Sequence, residues 1–241
     1  MRVHHECGLQ ERLNVEENPI LPECCRIVYA KEVESFRSKT SNPNPQALLH
    51  ALSDQWMHAY KRLVGRATSI YEIPEGGFHY LFDCEGSDHC DGQGPLPARI
   101  TPRVVVAYGT SKVPAAGRKK DDGRMRGWVG PTREILGDGW DKGHFVAHSM
   151  GGAVDRVEIN VFGQRRALNR GWSPAGKVFR KMEDYCASHP GTTFFHRALY
   201  GEESDVPDWL EFGIIYSDLT MWCEVFDNRA PITEVKIRTH N

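Results

Sequence analysis

The sequence predicts an α+β fold with an antiparallel β-sheet core, a small ββα unit and an N-terminal helical extension. Three observations support this fold class. Near the N-terminus, apolar residues recur every three or four positions, as they do on one face of a helix. Short β-type segments with turn residues between them occupy the middle of the chain, and three longer ones lie near its end. Strands joined by turns favour antiparallel pairing.

The 241 residues are enough for one sizeable domain, or for a core domain with an extension. We divide the chain into an extension, residues 1–66, with one amphipathic helix, and a core domain, residues 67–241. Residues 1–44 are polar and irregular in pattern. The helix is predicted from Gln46 to about Leu63, and Gly65 is placed to end it.

The core domain is predicted to begin with a hairpin and to end with a helix and three strands. The inner face of this helix is predicted to consist of Val178, Met182 and Tyr185. The remaining predicted elements are the hairpin strands Tyr71–Ile73 and Phe78–Phe82, a buried strand over Arg103–Tyr108, the helix over Gly176–Ser188, and strands over Thr192–Tyr200, Trp209–Ser217 and Leu219–Phe226.

Charge is distributed unevenly along the chain. The formal net charge is −2, which by itself indicates no polyanionic partner. Between Arg99 and Lys181, however, 17 basic residues stand against seven acidic ones, a local net charge of +10. Such an asymmetry is typical of proteins that bind phosphates. A solvated surface with randomly paired charges would give the same count, so charge alone leaves both interpretations open.

The seven cysteines are odd in number and irregular in spacing, which argues against a disulfide framework and predicts reduced thiols. One group, Cys84, His89 and Cys90 with nearby aspartates, suggests a structural zinc site. Such a site needs about four ligands. A polar loop closing a hairpin is the preferred interpretation of this segment.

The N-terminus lacks the apolar segment of a secretory signal, and no stretch of the sequence is apolar enough to span a membrane. We therefore expect a protein that is cytoplasmic in the producing cell and has no membrane partner. Export, if it occurs, would use a route that needs no cleaved signal peptide.

The segment most informative about chemistry runs from Gly137 to Trp172. His144 follows a glycine that permits close backbone approach, and an imidazole can take a proton from water near neutral pH. A turn at Gly151-Gly152, a strand-like run over Val157–Phe162 and a helix from about Gln164 would complete a ββα unit. Asn169 would then lie on the helix and offer an amide oxygen to magnesium, which prefers oxygen ligands and keeps several waters.

Each of these two residues is weak evidence alone. An isolated histidine is more often a buried structural residue, and an isolated asparagine is more often a turn or cap residue. Their order and spacing carry the signal. Asp141-Lys142-Gly143-His144 is followed by Asn160, Gln164 and Asn169.

This series resembles the DNA/RNA non-specific endonucleases of the Serratia nuclease type, which belong to the His-Me finger (ββα-metal) group. Their signature is Asp-Arg-Gly-His, then Asn-x-x-x-Gln, then an Asn in the helix. The resemblance covers Gly137–Glu183. It implies that His144 is the general base, that Asn169 is the direct magnesium ligand, that Asn160 holds the site together and that Asp141 orients it.

Two departures from the family pattern affect the implied catalytic set. Lys142 stands where the family has Arg, and lysine keeps the charge but loses the forked geometry that binds phosphate through two bonds. The acidic residue that the family carries in the helix soon after its Asn comes later here. Glu183 is our candidate, with Arg180 on the same helical face as a phosphate or leaving-group contact. An ordinary exposed i,i+3 pair is the alternative.

Several further residues are candidate substrate contacts. His148 lies four residues after His144 in a loop-like segment, and we favour substrate contact over metal binding for it. Trp140 and Trp172 are expected to pack in the core more readily than to stack on bases. The other candidates for substrate binding are Gln164 and, from the upstream basic loop, Arg124, Arg126 and Arg133.

The resemblance implies a magnesium-dependent endonuclease that hydrolyses phosphodiester bonds of DNA and/or RNA, with Mn²⁺ able to substitute for Mg²⁺. An intracellular enzyme of this kind needs restraint, which suggests an antibacterial effector with an inhibitor or immunity protein as partner. A catalytically degenerate module that binds nucleic acid without cutting it is the main alternative. A zinc-stabilised interaction protein built on Cys84–Cys90 is the third class.

Overall fold

The structure is a computed structural model, and it describes residues 21–65, 67–84, 103–114, 136–153, 158–201 and 206–229. Its centre is a six-stranded antiparallel sheet in the order β1-β2-β3-β6-β7-β8, and β4 and β5 form a separate two-stranded sheet. The α+β class is therefore confirmed. The strands are β1 Ile70–Glu75, β2 Phe78–Asp83, β3 Arg103–Thr110, β4 Trp140–His144, β5 Val161–Arg165, β6 Thr193–Tyr200, β7 Pro207–Ile215 and β8 Met221–Asp227.

Four α-helices lie in the described residues: α1 Tyr29–Lys39, α2 Pro45–Val64, α3 Arg166–Asn169 and α4 Pro174–Ser188. Helix α2 is the predicted amphipathic helix. The presence of α1 contradicts the expectation of an irregular segment up to residue 44 and of a single helix in the extension. Its apolar residues Tyr29, Val33 and Phe36 have helical spacing, but they are few among polar neighbours, and Val33 is the buried residue of the helix.

Helix α2 is delimited by its own sequence. The side chain of Asn44 accepts a hydrogen bond from the amide of Ala47 at the first turn, and Gly65 ends the helix in the left-handed conformation with φ 60°. The buried face of α2 packs on β3 and β6. The ring of Trp56 lies 4.8 Å from that of Phe195 on β6.

Beneath the N-terminal helices, the sheet carries a buried ion pair. Arg197 on β6 and Glu211 on β7 are paired in register, with Nε and Oε2 2.8 Å apart and side-chain exposures of 1% and 5%. The hydroxyl of Tyr29 donates to the same Glu211 oxygen at 2.6 Å, and Arg197 donates to the carbonyl of Cys25 at 2.8 Å. The segment from Cys25 to α1 is thereby fixed to the sheet.

The opposite face of the sheet supports α4 and the two-stranded sheet. His196 and Phe212 are register partners on β6 and β7, and the ring of Phe179 from α4 stacks on His196 at 5.3 Å. Phe145, directly after β4, lies edge-on to the same histidine. One face of the sheet is thus covered by the N-terminal helices and the other by the elements that carry the candidate site.

The predicted hairpin is confirmed, although Pro74 and Glu75 belong to β1 and the turn consists of Gly76-Gly77 alone. The inner face predicted for α4 is wrong in part. Val178 and Tyr185 are only partly buried, and the helix begins earlier than predicted, because the Ser173 side chain caps it. The buried side chains are those of Phe179, Met182, Glu183 and Cys186.

Cys84 is disulfide-bonded, whereas Cys24, Cys25, Cys186 and Cys223 are free thiols. The expectation of reduced cysteines is therefore wrong for Cys84. A cysteine in a disulfide offers no thiolate to zinc, so the bond also removes a ligand from the suggested zinc site. His89 and Cys90 lie outside the described residues.

None of the helices in the described part of the chain has the length and apolarity that crossing a bilayer requires.

Candidate active site

The predicted ββα unit is present. Strands β4 and β5 pair antiparallel with His144 opposite Val161, and α3 follows β5 directly. Its bounds differ from the prediction. Asn160 precedes the strand in a 3-10 turn over Glu158–Asn160, and the helix begins at Arg166 instead of Gln164. The unit carries His144 at the end of β4 and Asn169 at the end of α3.

Asp141 connects β4 to α3. Its carboxylate accepts hydrogen bonds from Arg166 Nε at 3.0 Å and from Arg170 at 2.7 and 3.0 Å. The Asn169 amide nitrogen donates to the same carboxylate at 3.2 Å. Desolvation alone would raise the pKa of this carboxyl, but the bonds from the guanidinium groups and the amide outweigh that effect and lower the pKa of Asp141.

The contact between Asp141 and Asn169 sets the orientation of the carboxamide. An ionised carboxylate can only accept hydrogen bonds, so the NH₂ of Asn169 must face Asp141. Its oxygen Oδ1 is then turned away from the carboxylate. Oxygen is the donor that a hard divalent cation prefers, and Asn169 thus fits the role of metal ligand predicted for it.

Gly143 lets the two strands approach closely. A Cβ added there would lie 2.5 Å from Gln164 Oε1 and 2.9 Å from the ring of Phe162. Gln164 itself is only 1% exposed. The prediction that Gln164 contacts substrate is therefore corrected, because its side chain is packed against β4 beside Gly143.

Alternation along β4 places Asp141 and Gly143 on one face and Lys142 and His144 on the other. The bonds of Asp141 go to α3 and the residue after it: Arg166, Asn169 and Arg170. Partial burial lowers the pKa of Lys142. His144 is half-buried and is the last residue of the strand, where the chain bends into Phe145.

Asn160 holds the backbone that follows His144. Its side chain is fully buried, accepts from the Val146 amide at 2.8 Å and donates to the carbonyls of Val146 at 2.9 Å and Ala153 at 2.8 Å. The amide of Phe145 donates to the Asn160 carbonyl at 3.0 Å. With these bonds made inside the protein, Asn160 serves as a positioning residue and not as a group that touches substrate.

His196 supports the same backbone from the central sheet. Its Nδ1 lies 2.8 Å from the carbonyl oxygen of Phe145, and since a carbonyl only accepts, Nδ1 carries the proton. Burial lowers the pKa of His196 to about 4, so the ring stays neutral near pH 7. His196 is not among the residues predicted for the site, because a histidine within a long apolar strand has no local pattern that shows which segment it contacts.

The Arg180–Glu183 pair on α4 is not an ordinary exposed pair. The two side chains are 2.5 Å apart, but Glu183 is 7% exposed and Arg180 is 44% exposed. Desolvation raises the pKa of Glu183 to about 7, although Arg180 opposes the effect. A buried carboxyl that titrates near neutrality can hold or release a proton at working pH.

Glu183→Gln is expected to remove a pH dependence of stability. The pKa of Glu183 is about 7 in the folded protein against an ordinary 4.5, so its contribution to stability is fully present below about pH 4.5 and is lost as the pH rises through about 7. The difference corresponds to about 3 kcal/mol. Urea unfolding between pH 4 and 8 should therefore show Glu183→Gln gaining stability over the wild type as the pH rises.

Asp54, an exposed carboxyl on α2, provides the control. Asp54→Asn should follow the wild-type pH profile closely. Identical profiles for Glu183→Gln and the wild type would contradict the raised pKa.

The remaining predicted residues have different outcomes. His148 begins a 3-10 turn over His148–Met150 and is half-buried. No group of three or more His, Cys, Asp or Glu side chains suited to hold a metal occurs among the described residues, so His148 has no such partners there. Arg124, Arg126 and Arg133 lie outside the described residues.

Two arginines of the site were not singled out in advance. Arg166 and Arg170 are four residues apart, so they lie on the same face of the turn and both reach Asp141. That spacing, next to a candidate metal ligand, is the signal that would have identified them. Trp172 was expected to pack in the core and is instead 64% exposed.

No family model matches the chain, and a search of curated proteins finds no match either. Among solved structures, the chain is similar to Sda1 nuclease with a bound zinc ion, with 12% identity, a TM-score of 0.37, and coverage of 69% of this chain and 86% of that one. An extracellular endonuclease matches with 14% identity, a TM-score of 0.37, and coverage of 64% and 80%. An extracellular nuclease matches with 14% identity, a TM-score of 0.34, and coverage of 63% and 86%. These similarities are low.

Proposed function

We propose that the protein is a metal-dependent endonuclease that hydrolyses phosphodiester bonds of DNA and RNA, with His144 as general base and Asn169 as the protein's metal ligand. The observation that carries the proposal is the contact between Asp141 and Asn169. It turns the amide oxygen of Asn169 away from Asp141, on the same ββα unit that carries His144. The ordered series of motifs from Asp141 to Asn169 and the local charge of +10 also support it.

The chain's own residues would divide the work as follows. His144 would accept the proton of a water that attacks phosphorus, while Asn160 and His196 keep the backbone after it in place. Asn169 would offer Oδ1 to Mg²⁺, and Mn²⁺ would serve there as well. When bound, the cation supplies charge stabilisation for the phosphate and for the departing oxygen. Lys142 would contribute a single positive charge to phosphate binding.

The substrate range is expected to be broad. Contacts from basic side chains to phosphate and sugar carry no sequence information, and they make binding strongly dependent on salt. We therefore propose cleavage of DNA and RNA without strong sequence preference. Binding of nucleic acid should also weaken steeply as the salt concentration rises from low to moderate.

The biological setting is also a proposal. A disulfide at Cys84 favours an oxidising compartment after synthesis, which is consistent with export. An exported nuclease that attacks competing bacteria would endanger its producer. We therefore include an inhibitor or immunity protein as a partner in the proposal.

The direct test is digestion of plasmid DNA and of total RNA by the purified protein with Mg²⁺, and again with excess chelator. Both substrates should be degraded with Mg²⁺ and left intact with chelator. Asn169→Ala should raise the Mg²⁺ concentration needed for half-maximal rate at least about 10-fold, because an oxygen ligand is lost.

Asn42→Ala, an exposed asparagine remote in sequence from the site, is the control and should need the same Mg²⁺ as the wild type. Binding of nucleic acid without digestion in Mg²⁺ or Mn²⁺ would support the degenerate binding module instead. Digestion that persists in chelator would overturn the metal dependence.

A further inference from the structure

Trp172 is an exposed aromatic side chain beside the candidate site. It is 64% exposed, the largest exposed fraction among the aromatic side chains of the described residues. An indole left in water forgoes the favourable free energy of burying a large aromatic surface, so we looked for what Trp172 contacts. Trp140, by comparison, is half-buried and is covered by Arg165 at 5.3 Å.

The backbone holds Trp172 in place. Its amide donates to the carbonyl of Ala167 at 2.9 Å, and the preceding Gly171 turns the chain with φ 70°. Ser173, the next residue, caps α4 through a bond to the amide of Gly176. The indole therefore projects from a short, hydrogen-bonded connection between two helices.

One face of the indole is occupied by Arg170. The guanidinium carbon lies 5.1 Å from the ring centroid, and the same guanidinium makes two hydrogen bonds to Asp141. Asp141 also accepts a hydrogen bond from the side-chain amide of Asn169. A continuous chain of contacts thus runs from the indole through Arg170 and Asp141 to the candidate metal ligand.

We propose that Trp172 stacks on an unpaired nucleobase of the substrate, next to the phosphate that is cut. The inference rests on the proposed function and adds a substrate preference to it. Every base has a flat π face, so stacking on an exposed indole is tolerant of sequence. Because bases inside a duplex already stack on their neighbours, the contact favours single-stranded or locally unpaired DNA and RNA. Arg170 bonds Asp141 through Nε and Nη2, lies over one face of the indole, and leaves its other N–H groups for a phosphate.

The experiment measures equilibrium binding of fluorescein-labelled oligonucleotides in excess chelator. The probes are a single-stranded 12-mer, the same strand with one abasic site at each position in turn, and the 12-mer as a duplex. The protein variants are wild type, Trp172→Ala and Trp172→Phe. Tyr71→Ala serves as the matched control, since Tyr71 is 54% exposed on the edge strand β1 and outside the site.

Trp172→Ala should weaken binding of the single strand about 5- to 100-fold and binding of the duplex less than about 2-fold. Trp172→Phe should keep most of the affinity, and Tyr71→Ala should equal the wild type. One abasic position should weaken binding by the wild type but make no difference to Trp172→Ala, since the base and the indole act as a pair. Unfolding midpoints of all variants should agree, because the ring contributes little to the core.

Two results would overturn the inference alone: single-strand affinity of Trp172→Ala equal to that of Tyr71→Ala, or an equal loss for duplex and single strand. In both, the wild type still binds the probes and digests nucleic acid with Mg²⁺. Absence of nucleic-acid binding and digestion by the wild type would overturn the proposed function, and this inference with it. Cleavage of the probes in chelator would contradict the metal dependence. The inference is then tested by cleavage rates, and equal rates of Trp172→Ala and Tyr71→Ala on the single strand would overturn it.

Discussion

His144→Ala is expected to slow digestion of plasmid DNA by about 10²- to 10⁴-fold, the loss typical of removing a general base. The folded structure should survive, because Asn160 and His196 hold the backbone that follows position 144. Nucleic-acid affinity should change little, since phosphate contacts come from basic side chains. The measurement is the initial rate of plasmid relaxation in Mg²⁺ at equal protein concentration.

His58, an exposed histidine on α2, gives the matched control. His58→Ala should digest DNA at the wild-type rate, and both variants should unfold at the wild-type midpoint in urea. The same pair tests the proposed effector role, because bacteria that produce the wild type or His58→Ala should stop growing and those that produce His144→Ala should grow. Equal rates for His144→Ala and the wild type would remove His144 from the mechanism.

The largest expected effect on stability concerns the buried pair of Arg197 and Glu211. Glu211→Leu leaves a guanidinium without its partner in a buried, apolar setting, which should lower the free energy of unfolding by about 3–5 kcal/mol. The double variant Arg197→Met with Glu211→Leu replaces both charges by apolar groups and should recover most of that loss. Urea unfolding followed by tryptophan fluorescence measures both changes.

The control is an exposed pair of the same length. Arg229 and Asp227 are also 2.8 Å apart, but their side chains are 44% and 42% exposed. Asp227→Leu should cost less than about 1 kcal/mol, because water screens exposed charges. A similar cost for Glu211→Leu and Asp227→Leu, or a double variant as unstable as the single one, would show that burial is not what makes the Arg197 pair important.

Local patterns in the sequence predicted most of the framework. The apolar stripe of α2, its glycine end at Gly65 and the hairpin turn at Gly76-Gly77 depend on neighbours in the chain, and all three are present. The predicted order of β4, β5 and α3 is also present. Helix α1 was missed because its single buried side chain, Val33, makes only a faint pattern.

The roles of individual site residues depend on contacts with residues that lie far away in the sequence. Gln164 was expected to contact substrate, but the absence of a side chain at Gly143 creates the space into which it packs. His196 lies 51 residues after the carbonyl that it binds. Trp172 is exposed because the Gly171 turn and the Ser173 cap direct the chain outward, and hydrophobicity alone predicts the opposite.

Two sets of side-chain contacts, one under the N-terminal helices and one near the candidate site, lie on opposite faces of the central sheet. The side chains beneath α1 and α2 project from one face of β6 and β7. Those of His196 and Phe212, which support the site, project from the other face of the same strands. Changes on opposite sides share few direct partners, so their free-energy effects should add. Substitutions around Trp56, in the N-terminal layer, should therefore change stability without altering the candidate site on the far face of the sheet.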